Sequence, residues 1–574
     1  MRYSLRLAAT FGLLFFFLAL QASTLRADTS SAAPPDQLGK VNFPTSCTAQ
    51  VQPTIEKGVA LLHSFQYTES EKTFADAVAR EPKCAMAHWG KAMARFEQLW
   101  EFPNDKKLKE GRKDIAKAQK LHPATAREQG FLDAAAAFFL NKSKLTHTER
   151  IKAYADSLER FYGQSPGDPE IGAFYALSLV ALAYTDEPNM LALQKKAISV
   201  LQPLLQQYPA HPGIAHYLIH AADRPELAAQ GLEAARRYAA IAPDSSHALH
   251  MPSHIFVRLG LWQDSIASNL AASASAARAA ELHLAESHYQ THAMDFLSYS
   301  YLQSGQEAKA REVIDHSGHV VGADDAGNAR HRAYFAARTA LELHRWKDAA
   351  DLPVASVGKD YLDNLYWARA IGAARSGDVA DAESDVKELT KLVADREKRA
   401  IKEGYGASSE KATDLREAEA WLAFAKGKSD EAVEELRAGA DHQDKNGGES
   451  VTVPAREMLA DMLLELKRPV DALAEYKTVL KNSPNRFDGL LGAARSAQAS
   501  GDTGGAQSFY AKLAEICAPG ADRPELAETK SPTRSESSIG SAQDKQTPVE
   551  RAPLFFFEDA FRSIPRWINQ KRTF

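Results

Sequence analysis

The sequence predicts an all-α fold in which about nine to eleven helix pairs stack into one long superhelix, an α-solenoid. Short turns containing glycine recur along the chain, each followed by an alanine that opens a second helix. They are Leu259-Gly260, Ser304-Gly305, Ser376-Gly377-Asp378, Lys426-Gly427 and Ser500-Gly501-Asp502. In the second helix an alanine, an aromatic residue and a closing proline follow one spacing, as in Ala472, Tyr476 and Pro484. A fixed period of this kind is typical of stacked repeats.

The spacing in residues 472–484 resembles the second helix of the tetratricopeptide repeat (TPR) family. The same spacing appears in three other segments: Ser70, Phe74, Ala77 and Pro82; Ala197, Leu201, Leu204 and Pro209; Ala506 and Tyr510. The resemblance covers roughly residues 50–517 and implies a TPR superhelix. It also implies that one stripe of each first helix lines a concave groove, where proteins of this family usually hold a peptide or protein partner.

Composition agrees with a stacked-repeat protein. The chain has 574 residues, 45% of them hydrophobic, and a formal net charge of −5. We therefore expect no nucleic-acid partner, because no basic surface dominates. No phosphate loop, dinucleotide fingerprint or nucleophile elbow occurs, so we expect no nucleotide cofactor.

The N-terminus predicts export. Arg2 and Arg6 precede an apolar run from Leu7 to Leu20, which is typical of a secretory signal peptide over residues 1–27. A retained signal anchor is the alternative, but the apolar run is short for a membrane span. We expect a flexible leader over residues 28–49, a periplasmic or extracellular location, and no transmembrane segment after cleavage.

Export makes the three cysteines interpretable, because an oxidising compartment permits disulfides. Cys47 precedes the first repeat and Cys84 opens the next one, so we expect them to pair across the open end of the superhelix. Two separate thiols are the alternative. Cys517 is the odd residue, and we expect it to be a small apolar filler.

Histidines mark the candidate site, which spans residues 211–299. Nine of the chain's eighteen histidines lie between His211 and His292. When each repeat is numbered from its own turn, three successive first helices carry polar or aromatic side chains at matching positions, which are 5 and 9 in the first helix and 2, 5 and 9 in the other two. In the first of these helices, His216 and His220 lie at positions 5 and 9. In the second, His247, His250 and His254 lie at positions 2, 5 and 9. In the third, the same positions hold His292, Asp295 and Tyr299. Spacings of three and four place each set on one stripe of its helix.

This stripe predicts a divalent transition metal, with zinc as the first expectation and copper or iron next, since imidazole suits all three. The preferred ligands are His216, His220, His250 and His254. The alternative ligands are His247, His292, Asp223 and Asp295, which otherwise orient the imidazoles. A metal-free groove for an acidic peptide or anion, and a histidine network that responds to pH, are the competing interpretations.

Three further features border this site. His63 of the first repeat and Tyr299 are candidate groove residues, and for His63 core packing is the stronger alternative. Pro252 lies inside the segment 250–254, where it either kinks a continuous helix or begins a new one. The charged segment 441–449 is longer than an ordinary turn between repeats, and is either a functional loop or a solvated connection.

Two function classes follow. The chain resembles exported bacterial TPR proteins that share the segments HYLIHA (216–221) and HMPSHIF (250–256), which supports the fold but supplies no reaction. The first class, which we favour, is a binding or scaffold protein with a metal-binding groove. The second is a metal-dependent enzyme, a hydrolase or oxidoreductase, in which His292 or Asp295 acts as general base.

The C-terminus changes in composition. Residues 518–553 are rich in Pro, Ser, Thr, Glu and Lys, which predicts a disordered linker. Residues 554–574 form an aromatic tail with basic residues. We expect weak docking of this tail to a partner or membrane surface, and a cap on the last repeat is the alternative.

Overall fold

The computed structural model describes residues 37–99, 102–140, 145–281, 287–354, 362–403, 411–448 and 450–530. Throughout these ranges the regular structure is helical, with twenty-five α-helices and two short 3₁₀ helices, and no strand is present in them. The all-α prediction is confirmed. The predicted signal peptide, residues 1–27, and the aromatic tail, residues 554–574, lie outside the described residues.

The first half of the solenoid leads up to and through the histidine-rich segment. Its helices are α1 (Gln52–His63), α2 (Tyr67–Arg80), α3 (Ala85–Ala94), α4 (Asp105–Lys120), α5 (Ala126–Phe139), α6 (His147–Gln164), α7 (Pro169–Ala183), α8 (Met190–Gln207), α9 (Pro212–Ala222), α10 (Ala228–Ile241), α11 (Ser246–His250), α12 (Pro252–Arg258) and α13 (Trp262–Glu281).

The second half continues the same alternation to the last repeat. Its helices are α14 (His288–Gln303), α15 (Glu307–Ser317), α16 (Asp325–Glu342), α17 (Trp346–Ala350), α18 (Leu362–Arg375), α19 (Val379–Glu403), α20 (Thr413–Ala425), α21 (Ser429–Asn446), α22 (Ala455–Glu465), α23 (Pro469–Asn482), α24 (Phe487–Ala499) and α25 (Thr503–Ile516). The 3₁₀ helices span Glu187–Asn189 and Pro524–Lys530.

Consecutive helices pack in pairs, and with α11 and α12 taken together the described residues contain twelve pairs. In nine of the twelve pairs the turn inside the pair contains a left-handed residue. The predicted turn glycines all have positive φ: Gly260, Gly305, Gly377, Gly427 and Gly501. Other pairs place a residue with a side chain in the same conformation: Phe65, Glu97, His344 and Lys467. A search for glycine turns misses these pairs, which explains why the sequence predicted slightly fewer.

Pro252 divides one first helix into two short helices, α11 and α12. Met251, between α11 and α12, keeps right-handed helical angles (φ −52°, ψ −35°). Its amide donates to the His247 carbonyl at 2.9 Å, and the Ser268 hydroxyl donates to the Leu249 carbonyl beside the proline. A new helix thus begins at Pro252, as the second alternative predicted, but the helical angles at Met251 keep the α12 histidine close to the two histidines of α11.

The superhelix winds tightly enough for its C-terminal repeats to touch the histidine-rich repeats. The Trp262 indole donates to the Asn485 carbonyl at 2.8 Å, and the Phe487 amide donates to the Gln303 side chain at 2.9 Å. Arg486 is fully buried between Glu342 and Glu457. These contacts close part of the concave face that the sequence predicted as an open groove.

The described part of the predicted flexible leader, residues 37–49, is packed against the repeats. Phe43 is fully buried and stacks on Trp89 with ring centroids 5.2 Å apart, and the Lys40 amide donates to the Ala210 carbonyl at 2.9 Å. Cys47 and Cys84 form a disulfide, while Cys517 is a half-buried free thiol. The segment is mostly polar, so its composition did not indicate that one aromatic residue, Phe43, packs it against the repeats.

The start of the predicted linker, residues 518–530, is also ordered. The buried Arg523 guanidinium pairs with Asp488 at 3.0 Å, and the Asp522 amide donates to the Gly305 carbonyl at 2.8 Å. The Asp522 carboxylate accepts from the Glu307 amide at the start of α15. The charged residues that suggested disorder are the ones that attach this segment to the solenoid. None of the helices described is long and apolar enough to cross a membrane.

Candidate metal site

Six histidines of the predicted stripe lie together on three successive first helices. Five of them are buried, with exposed fractions between 0% and 8%: His216, His220, His247, His250 and His254. The sixth, His292 on α14, is exposed. The apolar residues of α9, α11 and α12 pack into the repeat core, so the remaining face of each helix turns its histidines inward.

The nitrogen atoms form two groups, each with possible donor atoms within 4.8 Å of one another. The inner trio is His216, His220 and His247. The outer trio is His250, His254 and His292. In the inner trio, His216 Nε2 lies 3.0 Å from the Nε2 atoms of both His220 and His247. In the outer trio, His250 Nε2 lies 3.1 Å from His254 Nε2, and the His250 and His292 ring centroids are 4.4 Å apart.

This grouping of the nitrogen atoms differs from the predicted set of four histidine ligands. Each pair at positions 5 and 9 stays on its own helix, and the third member comes from position 2 of the next helix. His247 thus completes the pair on α9, and His292 completes the pair on α11 and α12. The offset between neighbouring helices decides which histidines come together in each trio. The spacing of residues along a single helix gives no information about that offset.

The tautomer of His250 is fixed by a chain of hydrogen bonds. Asn269 Nδ2 donates to the Ser265 carbonyl at 2.8 Å, so its Oδ1 points to His250. His250 Nδ1 lies 2.7 Å from that oxygen and must carry the proton. Its Nε2 therefore presents a lone pair toward His254.

His254 is oriented in the same way by a carboxylate. Its Nδ1 lies 2.8 Å from Asp223 Oδ2, and Arg258 Nε donates to the other oxygen of Asp223 at 2.8 Å. Although burial raises the pKa of Asp223, the Arg258 and His254 contacts outweigh it and hold this pKa well below its usual range. Asp223 is ionised and accepts only, so His254 Nδ1 donates to it and His254 Nε2 faces His250.

In the inner trio the main chain orients His216. Its Nδ1 lies 2.6 Å from the His63 carbonyl oxygen, so Nδ1 donates and Nε2 faces His220 and His247. Burial lowers the pKa of His216 to about 3, and burial is also the main cause that lowers the pKa of His220, His247 and His250 well below the ordinary value. These imidazoles are neutral near pH 7.

Two lone pairs about 3 Å apart repel each other unless a cation lies between them. His250 and His254 use both of their Nδ1 protons elsewhere, so the contact between their Nε2 atoms requires a cation, which is either a metal ion or one additional proton. Ligands bonded to one metal at about 2.0–2.1 Å have nitrogens roughly 3 to 3.5 Å apart. Metal-bound histidines commonly donate their other N–H to a carboxylate, a carbonyl or an amide oxygen, as these do.

A strained turn covers the inner trio. Phe65 follows α1 with φ 55°, at the turn position where several other pairs have glycine. Its ring lies 4.3 Å from the His216 ring and 5.6 Å from the His220 and His247 rings. A left-handed residue with a large side chain costs on the order of 1–2 kcal/mol, which the burial of this ring offsets.

His63, predicted as a groove residue, lies instead in a buried network below the site. The network consists of His63, Glu170, His211 and Tyr217. His63 Nε2 and His211 Nε2 lie 2.8 and 3.0 Å from the two oxygens of Glu170. His63 Nδ1 contacts the Tyr217 hydroxyl at 2.9 Å, and His211 Nδ1 accepts from the Ile214 amide. Every ring nitrogen of this network has a hydrogen-bond partner.

Asp295 and Tyr299, predicted to face the histidines, belong to a separate buried cluster. Arg338 pairs with the Asp295 carboxylate and donates to its carbonyl oxygen at 2.9 Å. Arg486 donates to the Tyr299 hydroxyl at 2.9 Å. The side chain at position 5 of this third helix is therefore paired with an arginine, and Asp295 belongs to neither trio.

The segment after α21 closes the site from the C-terminal side. Arg258 donates to the carbonyl oxygens of Gly447 and Gly448 at 2.9 and 2.8 Å, and Ser450 donates to Asp223 at 3.0 Å. Next to it lies a small cavity of about 30 Å³ lined in part by Arg258 and Tyr299. The predicted functional segment 441–449 thus ends against the residues that orient His254.

Sequence reasoning missed three residues of the site. Asn269 lies on the second helix of its pair, Arg258 closes α12, and Phe65 precedes the site by about 150 residues of chain. A phenylalanine at a turn position usually filled by glycine was the available signal. Asn269 gave none, because its role depends on packing between helices.

Three solved structures illustrate what this chain is similar to, each at low identity and a low TM-score. Solved structures of similar shape include yeast Tom70, with 12% identity, 84% of this chain and 95% of that chain covered, and a TM-score of 0.31. A monomeric IFIT1 mutant with Gppp-AAAA has 12% identity, coverage of 82% and 100%, and a TM-score of 0.36. The P58(IPK) TPR domain has 13% identity, coverage of 84% and 98%, and a TM-score of 0.19.

No protein-family model matches the chain, and the search of curated proteins found no match. The identities and scores above are too low to transfer a ligand or an activity. What the chain does therefore has to be argued from its own residues.

Proposed function

We propose that this chain is an exported TPR-like binding protein whose concave histidines bind a transition metal. One observation carries the proposal: His250 and His254 bring Nε2 atoms within 3.1 Å of each other while Asn269 and Asp223 accept from their Nδ1 atoms. A metal ion between these nitrogens turns a repulsive contact into a favourable one. Zinc is the first expectation and copper or iron next, because the candidate ligands are imidazoles.

The experiment is elemental analysis of the untagged full chain beside a variant with His216, His220, His250 and His254 changed to alanine. We expect near-stoichiometric metal in the native protein, lost in the variant and kept in a control with the exposed His316 changed to alanine. Metal-free native protein that still fails to bind Zn²⁺ or Cu²⁺ would sink the proposal. A shared extra proton would then explain the short His250–His254 contact.

A peptide or protein partner completes the proposal, since solenoids present extended concave surfaces for binding. The C-terminal repeats occupy part of that surface beside the histidines and leave a cavity of about 30 Å³ near Arg258, which is about the volume of one water molecule. A wider cleft lies along the leader segment and includes Lys57, Arg127 and Tyr208. Crosslinking from a photoreactive residue at either opening, in the native compartment, identifies which one holds the partner.

Export and tail docking rest on sequence alone. Expression of the full chain in a bacterial host, followed by fractionation, should place it outside the cytoplasm, and deletion of residues 2–27 should retain it inside. Binding of vesicles by the full chain, compared with a chain ending at residue 553, tests the aromatic tail. Equal binding by the two chains would remove the tail from the proposal.

One observation favours the enzyme alternative. His292 is exposed, so a metal held by the outer trio has a side open to solvent, as catalytic sites require. Neither candidate base is free for that role, however, because Asp295 pairs with Arg338 and His292 itself joins the trio. A hydrolase or oxidoreductase would need its base from a bound substrate or water, and screening of the metal-loaded protein with ester and phenol substrates tests this.

A further inference from the structure

The inner and outer trios are the same arrangement built twice, one helix pair apart. In each, positions 5 and 9 of one first helix meet position 2 of the next. We infer that the concave site holds two transition-metal ions side by side, one in each trio. The inference rests on the proposed function and adds the number of ions and their unequal exposure.

The possible ligand atoms of the six histidines separate into two sets of three. Within each trio the possible ligand atoms are no more than 4.8 Å apart. The geometry therefore offers two neighbouring three-imidazole sites.

The residues at the two ends of this series of three first helices show why a third trio does not form there. The next first helix, α14, has Asp295 and Tyr299 at positions 5 and 9, and both side chains are held by arginines. In the first helix of the series, position 2 is Gly213, against which His63 packs closely. The series of three helices can therefore build two trios and no third.

The two trios differ in enclosure. Phe65 covers the inner trio, and Tyr238 stacks on His216 from another side with ring centroids 5.1 Å apart. The outer trio lies against Phe296 on one side, and its member His292 is exposed. We expect the inner ion to exchange slowly, and the outer ion to exchange quickly and to accept water or a small anion such as azide.

The test is the zinc stoichiometry of metal-free full chain after incubation with Zn²⁺ and desalting. Wild type should retain two ions, His247→Gln and His292→Gln one each, and the double variant none. The control His316→Gln, an exposed histidine on α15, should retain two. A wild-type value of one that either single variant abolishes would overturn the two-ion inference and leave the proposed function standing.

Chelator kinetics separate the two ions independently. Excess chelator should remove zinc in a fast and a slow phase. His292→Gln should lose the fast phase and His247→Gln the slow one, and azide should perturb a Cu²⁺-loaded protein only when His292 is present. A single phase in wild type contradicts the inference. Because His292 is exposed, we expect His292→Gln to fold, so this variant tests the inference even if His247→Gln fails to fold. If the wild-type chain binds no metal at all, the proposed function itself is rejected.

Discussion

The network of His63, Glu170, His211 and Tyr217 and the inner trio are both buried in the same part of the solenoid, and both consist largely of imidazoles. They differ in where the protons go. In the network a carboxylate accepts from two rings, and the remaining ring nitrogens have a hydroxyl or an amide as partner. In the trios the Nε2 atoms face each other.

The comparison teaches that histidine density does not define a metal site. A carboxylate that neutralises two imidazoles makes a stable piece of core. A carboxylate or amide that takes the Nδ1 proton, and leaves Nε2 to meet another Nε2, prepares a ligand. His63 and His216 are connected through the His63 carbonyl, so the network supports the inner trio without being part of it.

The largest effect is expected from breaking the network. Glu170→Ala leaves His63 and His211 buried with unpaired N–H groups, which should lower the free energy of unfolding by about 3–5 kcal/mol. Although burial raises the pKa of Glu170, the His211 and His63 contacts hold it well below its usual range, so the lost group is a carboxylate. Urea denaturation of the metal-free chain measures this, and a loss below about 1 kcal/mol would contradict the assignment.

The next effect concerns the trios. Zinc at a thousand times its dissociation constant should stabilise the wild-type chain by about 4 kcal/mol per ion, because only the folded state assembles the ligands. Thermal unfolding with and without zinc measures the shift. The His216, His220, His250 and His254 alanine variant should show no shift, whereas the control at His316 should match wild type. Equal shifts in all three proteins would mean that zinc binds elsewhere.

A smaller effect is expected when only the orientation of a ligand changes. Asn269→Ala removes the acceptor that fixes His250 and should weaken metal binding by the outer trio about 10- to 100-fold. Asn269→Asp keeps an acceptor and should retain most of the affinity. Competition with a coloured chelator measures both. If the two variants bind equally well, His250 is not oriented through Asn269.

The effect that is smallest for each residue concerns pH. The pKa of His216, His220, His247 and His250 is lowered by burial, so the unfolded chain binds more protons near pH 6. Stability of the metal-free protein is therefore complete above the unfolded pKa of about 6.5 and falls as the pH drops below it. From pH 7 to 6 we expect a loss on the order of 0.7 kcal/mol per histidine. The variant with His216, His220, His250 and His254 changed to alanine should lose much less stability over the same pH range. If the stability of the two proteins falls equally with pH, these histidines titrate normally.

Much of the architecture was predictable because its determinants are local. Glycine turns and the Ala, aromatic and Pro spacing repeat along the chain, and the paired helices follow from them. The leader and the segment 518–530 were not predictable, because one aromatic ring, Phe43, and one buried ion pair, Arg523 with Asp488, decide whether a polar stretch is ordered.

For the site, the sequence by itself determined which helix face carries the histidines, since a spacing of three and four fixes a face of a helix before it packs against anything. Only the tertiary structure decided the rest. The offset between neighbouring helices assigned His247 and His292 to the pairs preceding them. Long-range contacts from Asn269, Asp223 and the His63 carbonyl set the ring tautomers. A histidine becomes a ligand or a core residue according to the atom that accepts its other proton, and packing between helices brings that atom into place.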